Sequence, residues 1–169
     1  RKKSIDNIPL LKKFDCEEAR IARLEQIYQW EEYGINIRSS EVWSAFNHRI
    51  QDIKNSVRDL LVAAKKRNEL ILGFGASTKG NTLLQFMEID SELLPAIVEA
   101  QDVKFGKYTA GSGIPIISES DGVAMNPSGY LVLPWHFIQD FLLRKRNCLP
   151  NGGHFYVPCP KFSEYRVKI

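Results

Sequence analysis

Hydrophobic and polar positions alternate in two different rhythms along this chain, and the change of rhythm divides it. Ile21, Leu24, Ile27 and Tyr28 recur at helical spacing behind Asp15-Cys16-Glu17-Glu18, a plausible capping arrangement, and Gly34 is placed to stop that helix. A second start at Ser39-Ser40-Glu41 leads into Trp43, Phe46, Ile50, Ile53, Val57, Leu60 and Ala64, spaced by three and four, up to Lys65-Lys66-Arg67. That pattern predicts one long helix over about 40–67. Its flanking positions carry no clear charge code, so the two helices are expected to pair with each other and lean on a core. The aromatic positions of the stripe are read as core.

From residue 69 the rhythm becomes that of short buried strands. Leu70-Ile71-Leu72 runs through Gly73-Phe74-Gly75 into Leu83, Leu84, Phe86 and Met87 at helical spacing. Pro95–Glu99 reads as a second strand, and Ile114-Pro115-Ile116-Ile117 as an extended, peripheral one, because proline gives no ladder donor. Tyr130–Leu133 is a stronger strand, followed by a helix through Phe137, Ile138, Phe141 and Leu142. His154–Val157 is the last strand, after the turn Pro150-Asn151-Gly152-Gly153. Strands alternating with helices argue an α/β, Rossmann-like, mostly parallel sheet flanked by helices. The domain expectation is an N-terminal helical extension over 1–68 and the α/β domain over 69–169.

The turn after the first strand is the leading candidate for chemistry. Glycines let a backbone approach a ligand, and a helix start leaves N–H groups that favour an anion. Gly75, Ser77, Thr78, Lys79, Asn81 and Thr82 form this candidate site. Thr78 stands where a dinucleotide fingerprint wants its third glycine. Asn81 stands where a P-loop has its lysine, which argues against triphosphate hydrolysis. The alternative is a glycine turn needed only for close packing; the density of short polar donors favours a ligand.

Glu99 falls 24 residues after Gly75, near where such folds place the carboxylate that holds ribose hydroxyls, or it is simply a solvated strand end. Lys104 and Lys107 lie in a glycine-punctuated loop, Lys104–Gly113, that is a candidate phosphate clamp or only a surface loop. Tyr108 in that loop suits stacking on a base or covering the sheet edge. Trp135 and His136 sit at a strand's carboxyl end, the binding side of such sheets, and His136 is not assigned a catalytic role.

Composition changes little. Hydrophobic residues at 44% and charged residues at 25% suit a soluble globular chain, and a net charge of +3 gives no case for nucleic acid. Arg144-Lys145-Arg146 reads as the charged end of a helix. No apolar run reaches membrane-spanning length and no signal peptide is read, so a cytoplasmic location is expected. Cys16, Cys148 and Cys159 are isolated, without metal-ligand spacing, and read as idle thiols. The opening Arg1-Lys2-Lys3 is read as that of a fragment.

Taken together, five blocks resemble a known family. They are Gly73-Phe74-Gly75-Ala76-Ser77-Thr78-Lys79-Gly80-Asn81-Thr82, Lys104-Phe105-Gly106-Lys107-Tyr108-Thr109, Ile114-Pro115-Ile116, Leu133-Pro134-Trp135-His136-Phe137, and Gly152-Gly153 with Pro158 and Pro160. In order and spacing they look like the C-terminal domain of S-adenosylmethionine-dependent C-methyltransferases acting on nucleotide-linked deoxysugars. The resemblance implies that this domain helps hold a sugar nucleotide, through Ser77, Lys79, Asn81 and the Lys104–Thr109 loop. It places S-adenosylmethionine in a middle domain and zinc in an N-terminal part, both outside this sequence, so the fragment alone is expected to bind but not to methylate. The implied partners are the nucleotide-linked sugar and the remainder of the methyltransferase chain. Glu99, Asp102 and Ala110-Gly111 depart from the family's usual Asp, Pro and Pro-Gly. Two other readings stay open: a stand-alone domain binding NAD(P) or a mononucleotide, and a non-catalytic docking module.

Overall fold

A computed structural model describes residues 17–144 and 153–166. The chain divides into two units, Arg1–His48 and Arg49–Ile169.

In the first unit, helix α1 (Glu17–Gln29) continues into a π-helical turn, Trp30–Ile35. Gly34 lies inside that turn and does not end the helix. The stop is Asn36, which takes the left-handed conformation (φ 60°) and returns its N–H to the Glu31 carbonyl. Asparagine tolerates that conformation, so it serves as the terminator that glycine was expected to supply. Asp15, the expected cap, lies outside the described residues. Helix α2 (Ser40–Lys66) starts as the pattern predicts, with Ser39 Oγ accepting from the Glu41 amide at 3.2 Å. Its apolar stripe is only partly core. Val57, Leu61 and Ala64 are buried, whereas Trp43 is 56% and Phe46 44% exposed, the two rings meeting edge-on at 6.1 Å. Ile21, Leu24 and Tyr28 of α1 are likewise more than half exposed. Periodicity specifies which residues share a face; it does not specify that anything covers that face.

The second unit is a six-stranded sheet in the order β3-β2-β1-β4-β5-β6. Strands β1 (Ile71–Phe74), β2 (Ile97–Glu99), β3 (Ile116–Ser118), β4 (Gly129–Val132) and β5 (His154–Val157) are parallel, and β6 (Ser163–Arg166) is antiparallel to β5. Helices α3 (Thr78–Phe86), α4 (Glu119–Ala124) and α5 (Ile138–Arg144) connect them. This is the expected Rossmann-like fold. Every residue of β1 and β4 is buried, as both faces of a parallel sheet must be covered. One layer packs Val57, Leu61 and Ala64 of α2 with Leu84 and Met87 against Ile97 and Leu131. The other gathers Leu72, Phe74, Val98, Tyr130 and Phe155 under Ile138, Phe141 and Leu142. Phe74 is its centre, edge-on to Tyr130 at 5.2 Å and to Phe141 at 5.1 Å.

Two elements escaped the sequence reading, α4 and β6. Helix α4 is one and a half turns capped by Ser118, whose Oγ accepts from Asp121 N at 3.1 Å. Segment Ile114–Ile117 does lie at the margin, since β3 is an edge strand. Its outer side is covered by the preceding loop, which folds back as a hairpin. Gly106 N donates to Ile116 O (3.0 Å), Ile116 N to Lys107 O (2.8 Å) and Thr109 N to Ile114 O (2.9 Å).

Close approach at Gly122 gives a direct test of this packing. A methyl group there would stand 2.3 Å from Val98 Cγ2, in a layer where Val98 is 1% exposed and has no room to yield. Alanine gains about 1 kcal/mol of helix propensity over glycine. Overpacking costs about 1–3 kcal/mol, so the steric effect should win. Gly122→Ala is therefore expected to lower the urea midpoint with an unchanged slope, a net loss of up to about 2 kcal/mol. A variant as stable as the parent would show that α4 can shift away from β2.

Candidate functional site

The strand order reverses between β1 and β4: the chain leaves β1 toward β2 on one side and β4 toward β5 on the other. Their carboxyl ends therefore form a topological switch point, where open α/β sheets bind ligands in a crevice. The candidate turn lies here. Gly75 takes φ +82°, its N–H bonding to Val98 O at 2.8 Å, and Ala76 leads to Ser77, the N-cap of α3. Ser77 Oγ accepts from Gly80 N at 3.0 Å, and the first intrahelical bond is Asn81 N to Ser77 O at 2.9 Å. The amides of Thr78 and Lys79 precede that bond, so the helix offers them no acceptor. The first turn of α3 has no acidic residue. Thr78, Lys79 and Thr82 are exposed, Asn81 is half-buried, and Thr82 Oγ1 donates back to Thr78 O at 3.3 Å.

Each glycine of the pattern has an internal packing reason. A Cβ on Gly75 would lie 2.6 Å from Pro134 Cγ, on Gly80 2.8 Å from Leu133 Cβ, and on Gly73 2.7 Å from Ile97 Cγ1. The glycines hold the start of α3 against the exit of β4. Beyond them lie the polar residues Thr78, Lys79, Asn81 and Thr82.

Glu99 ends β2 beneath this turn and is 8% exposed. Its Oε2 accepts from Ala76 N (3.0 Å) and from Lys104 Nζ (3.0 Å); Oε1 accepts from Ala100 N (2.8 Å) and Gln101 N (3.1 Å). Lys104 Nζ also donates to Ala76 O at 3.0 Å. Burial pushes the Glu99 carboxyl up, but the hydrogen bond from Lys104, the amides of Gln101 and Ala100, and the lysine charge outweigh it, and the group sits below its ordinary value.

The structure thus brings Gly75, Ser77, Glu99 and Lys104 together around Ala76, a residue the sequence reading did not single out. Lys107 and Tyr108 go elsewhere: both are exposed on the hairpin along β3, two strand positions from β1. The loop after them is tied to α3, since Gln85 Nε2 donates to Ala110 O at 3.0 Å. Trp135 opens a 3-10 turn beyond Pro134 and packs on the Phe74 layer. His136 is exposed, edge-on to Trp135 and 4.2 Å from the Phe137 ring centre. Cys159 is half-buried with its thiol pushed up by burial, and Cys16 and Cys148 lie outside the described residues. Among the described residues no group of three or more His, Cys, Asp or Glu side chains could hold a metal ion. No helix among them is long and apolar enough to cross a membrane.

The clasp fixes a pH dependence. A carboxylate whose folded pKa is depressed adds stability above its unfolded value, near 4.5, and loses it as pH falls through the folded value. Stability should therefore decline on acidification below about pH 5. Glu99→Gln should be less stable at neutral pH by about 1.5–3 kcal/mol, the scale of a hydrogen bond to a charged group, and its acid limb should be flatter. Parallel pH curves for the two proteins in chemical denaturation would exclude Glu99 as the group responsible.

Residues 10–160 match the family described as C-methyltransferase C-terminal domain, a span that runs from before α1 through β5. A curated relative is C-methyltransferase NovU of Streptomyces niveus, 28% identical over 131 residues that make up 78% of this chain and 31% of the relative. The chain spans about a third of the length of that relative. The family match spans α3, Glu99, Lys104 and the exit of β4, and the chain belongs to the C-methyltransferase C-terminal domain family.

Proposed function

We propose that this chain is the sugar-nucleotide-binding C-terminal domain of an S-adenosylmethionine-dependent sugar C-methyltransferase. The observation that carries the reading is the start of α3 at the strand-order reversal. There Thr78 and Lys79 are exposed, the helix offers their amides no acceptor, and the turn carries no acidic residue. Such an arrangement attracts a diphosphate through orphan donors, helix dipole and side-chain charge together. Asn81 and Thr82 supply further polar groups for the ligand, and Trp135 and His136 across the crevice offer an apolar face and a polar tip to a sugar or base. Of the loop implied by the family resemblance, Lys104 lies beside this turn, whereas Lys107 and Tyr108 lie on the hairpin along β3.

S-adenosylmethionine and zinc belong, on this reading, to other parts of the methyltransferase chain, which with the nucleotide-linked sugar are its partners. The domain binds; the methyl group comes from elsewhere. A cytoplasmic setting fits such chemistry.

Ligand-induced stabilisation tests the reading. At 100 times Kd a ligand adds about 2.7 kcal/mol, so a nucleoside diphosphate sugar should raise Tm while NAD does not. Lys79→Ala should weaken that binding by about 1.5–3 kcal/mol and leave folding nearly unchanged. A shift with NAD alone, or with neither ligand, would reject the sugar-nucleotide assignment.

The methyl donor gives a separate check. Isothermal calorimetry of this chain with S-adenosylmethionine is expected to show no saturable heat. Micromolar binding would place the donor site here and overturn the division of labour.

A further inference from the structure

Ala76 is held by both of its backbone polar groups. Its N–H donates to Glu99 Oε2 and its C=O accepts from Lys104 Nζ, and these two side chains bond to each other, every contact at 3.0 Å. The circuit closes around the peptide units that carry the chain from Gly75, at φ +82°, to the N-cap Ser77. Glycine at that φ has no Cβ to restrict it, so the orientation of the following peptides needs an outside restraint.

The stoichiometry of the carboxylate decides between two roles for Glu99. An ionised carboxylate has about four lone-pair sites. All of them are used within the protein, by Ala76, Lys104, Ala100 and Gln101. At 8% exposure nothing remains for ribose hydroxyls, which would need an acceptor already taken. Lys104 spends two of its three donors on Ala76 and Glu99, and the third is all that a ligand could recruit.

From this geometry we infer that Glu99 and Lys104 are positioning residues. They aim the Ala76–Lys79 backbone at the bound anion through Ala76 and do not themselves contact the nucleotide. The inference rests on the reading of this turn as a sugar-nucleotide site. It also makes the turn's geometry depend on the charge state of Glu99, whose carboxyl lies below its ordinary value. Deprotonated, it holds Ala76 and Lys104 at once; protonated, it surrenders an acceptor and releases the lysine.

A cycle of variants separates positioning from contact. Calorimetry with uridine diphosphate glucose and thymidine diphosphate glucose would be run on the parent chain, Glu99→Gln, Lys104→Met and the double variant. The folded fraction of each is checked by circular dichroism well below its melting transition. A misaimed turn should cost each single variant about tenfold or more in affinity, since small displacements of positioning groups have effects on that scale. The double variant should lose no more than either single, because both break one circuit. The parent's affinity should also fall as pH drops through the folded-state value of Glu99, which lies below 4.5, while that of Glu99→Gln stays level. If Lys104→Met still weakens binding in the Glu99→Gln background by its full factor, the lysine touches the ligand and the inference fails. It fails equally if the parent binds and all three variants bind as tightly. Should Glu99→Gln not fold, Glu99→Asp takes its place in the cycle, with the same lack of additivity expected and independent losses overturning the inference. Absence of binding by the parent to both sugar nucleotides would instead overturn the sugar-nucleotide reading itself.

Discussion

Leu133 and Pro134 fill the space that side chains on Gly80 and Gly75 would need, and most of the architecture around the crevice follows from that contact. The exits of the two central strands can press together only because α3 begins with atoms missing. Leu133 N then reaches Phe74 O at 3.0 Å, extending the β1–β4 ladder one residue beyond the strands, and Gly75 N reaches Val98 O on the other side. With β1 tied to both neighbours at its last residues, the turn hangs at a fixed height over Glu99. A longer approach would place Ala76 beyond the carboxylate. Packing and polar geometry at this point are one problem, not two.

The same contact explains how a carboxylate survives at the end of a buried strand. Desolvating an ion costs several kcal/mol even after relaxation. Each hydrogen bond to a charged group returns about 1.5–3 kcal/mol, and Glu99 receives four, one of them from an ammonium. The bonds outweigh the burial, so the ionised form persists. Arg38 and Glu32 form a closer pair at 2.7 Å, yet the arginine is exposed and water screens that attraction. Burial makes the Glu99–Lys104 pair the one that shapes the fold locally.

Much of this fold was legible in residue order. Continuous apolar runs marked β1, β4 and β5, because strands covered on both faces leave no room for alternation. Spacing by three and four marked α2 from Ser40 onward. What escaped had weak or misleading local signals. Strand β6, Ser163-Glu164-Tyr165-Arg166, offers a single apolar side chain and forms only by pairing with β5. Helix α4 contains a glycine that is there for Val98, which reads locally as a helix breaker. The exposure of Trp43 and Phe46 could not be read either, since periodicity carries no information on what lies opposite. At the site, the residue types at Ser77, Glu99 and Lys104 were visible, but that they converge on Ala76 was not. Alanine has no functional side chain to draw notice, and the circuit joins residues more than twenty apart in the chain.

The Lys104–Gly113 loop shows how a single glycine-punctuated stretch divides its labour. Its first lysine turns inward to Ala76 and Glu99, and its second lies on a hairpin whose backbone is bonded to β3. An unpaired edge strand is open to association with other chains, and a hairpin strand laid along it removes that hazard. Once Gly106–Thr109 is committed to the edge, Lys107 and Tyr108 project from a restrained backbone and not from a free flap. For either of them to reach a ligand at the start of α3, the bonds from Gly106 and Ile116 would have to open. Lys104 needs no such movement. The three-residue interval between the two lysines therefore separates a group built into the floor of the crevice from one that stands outside it. On the proposed reading, direct electrostatic capture in the resting structure then falls to Lys79.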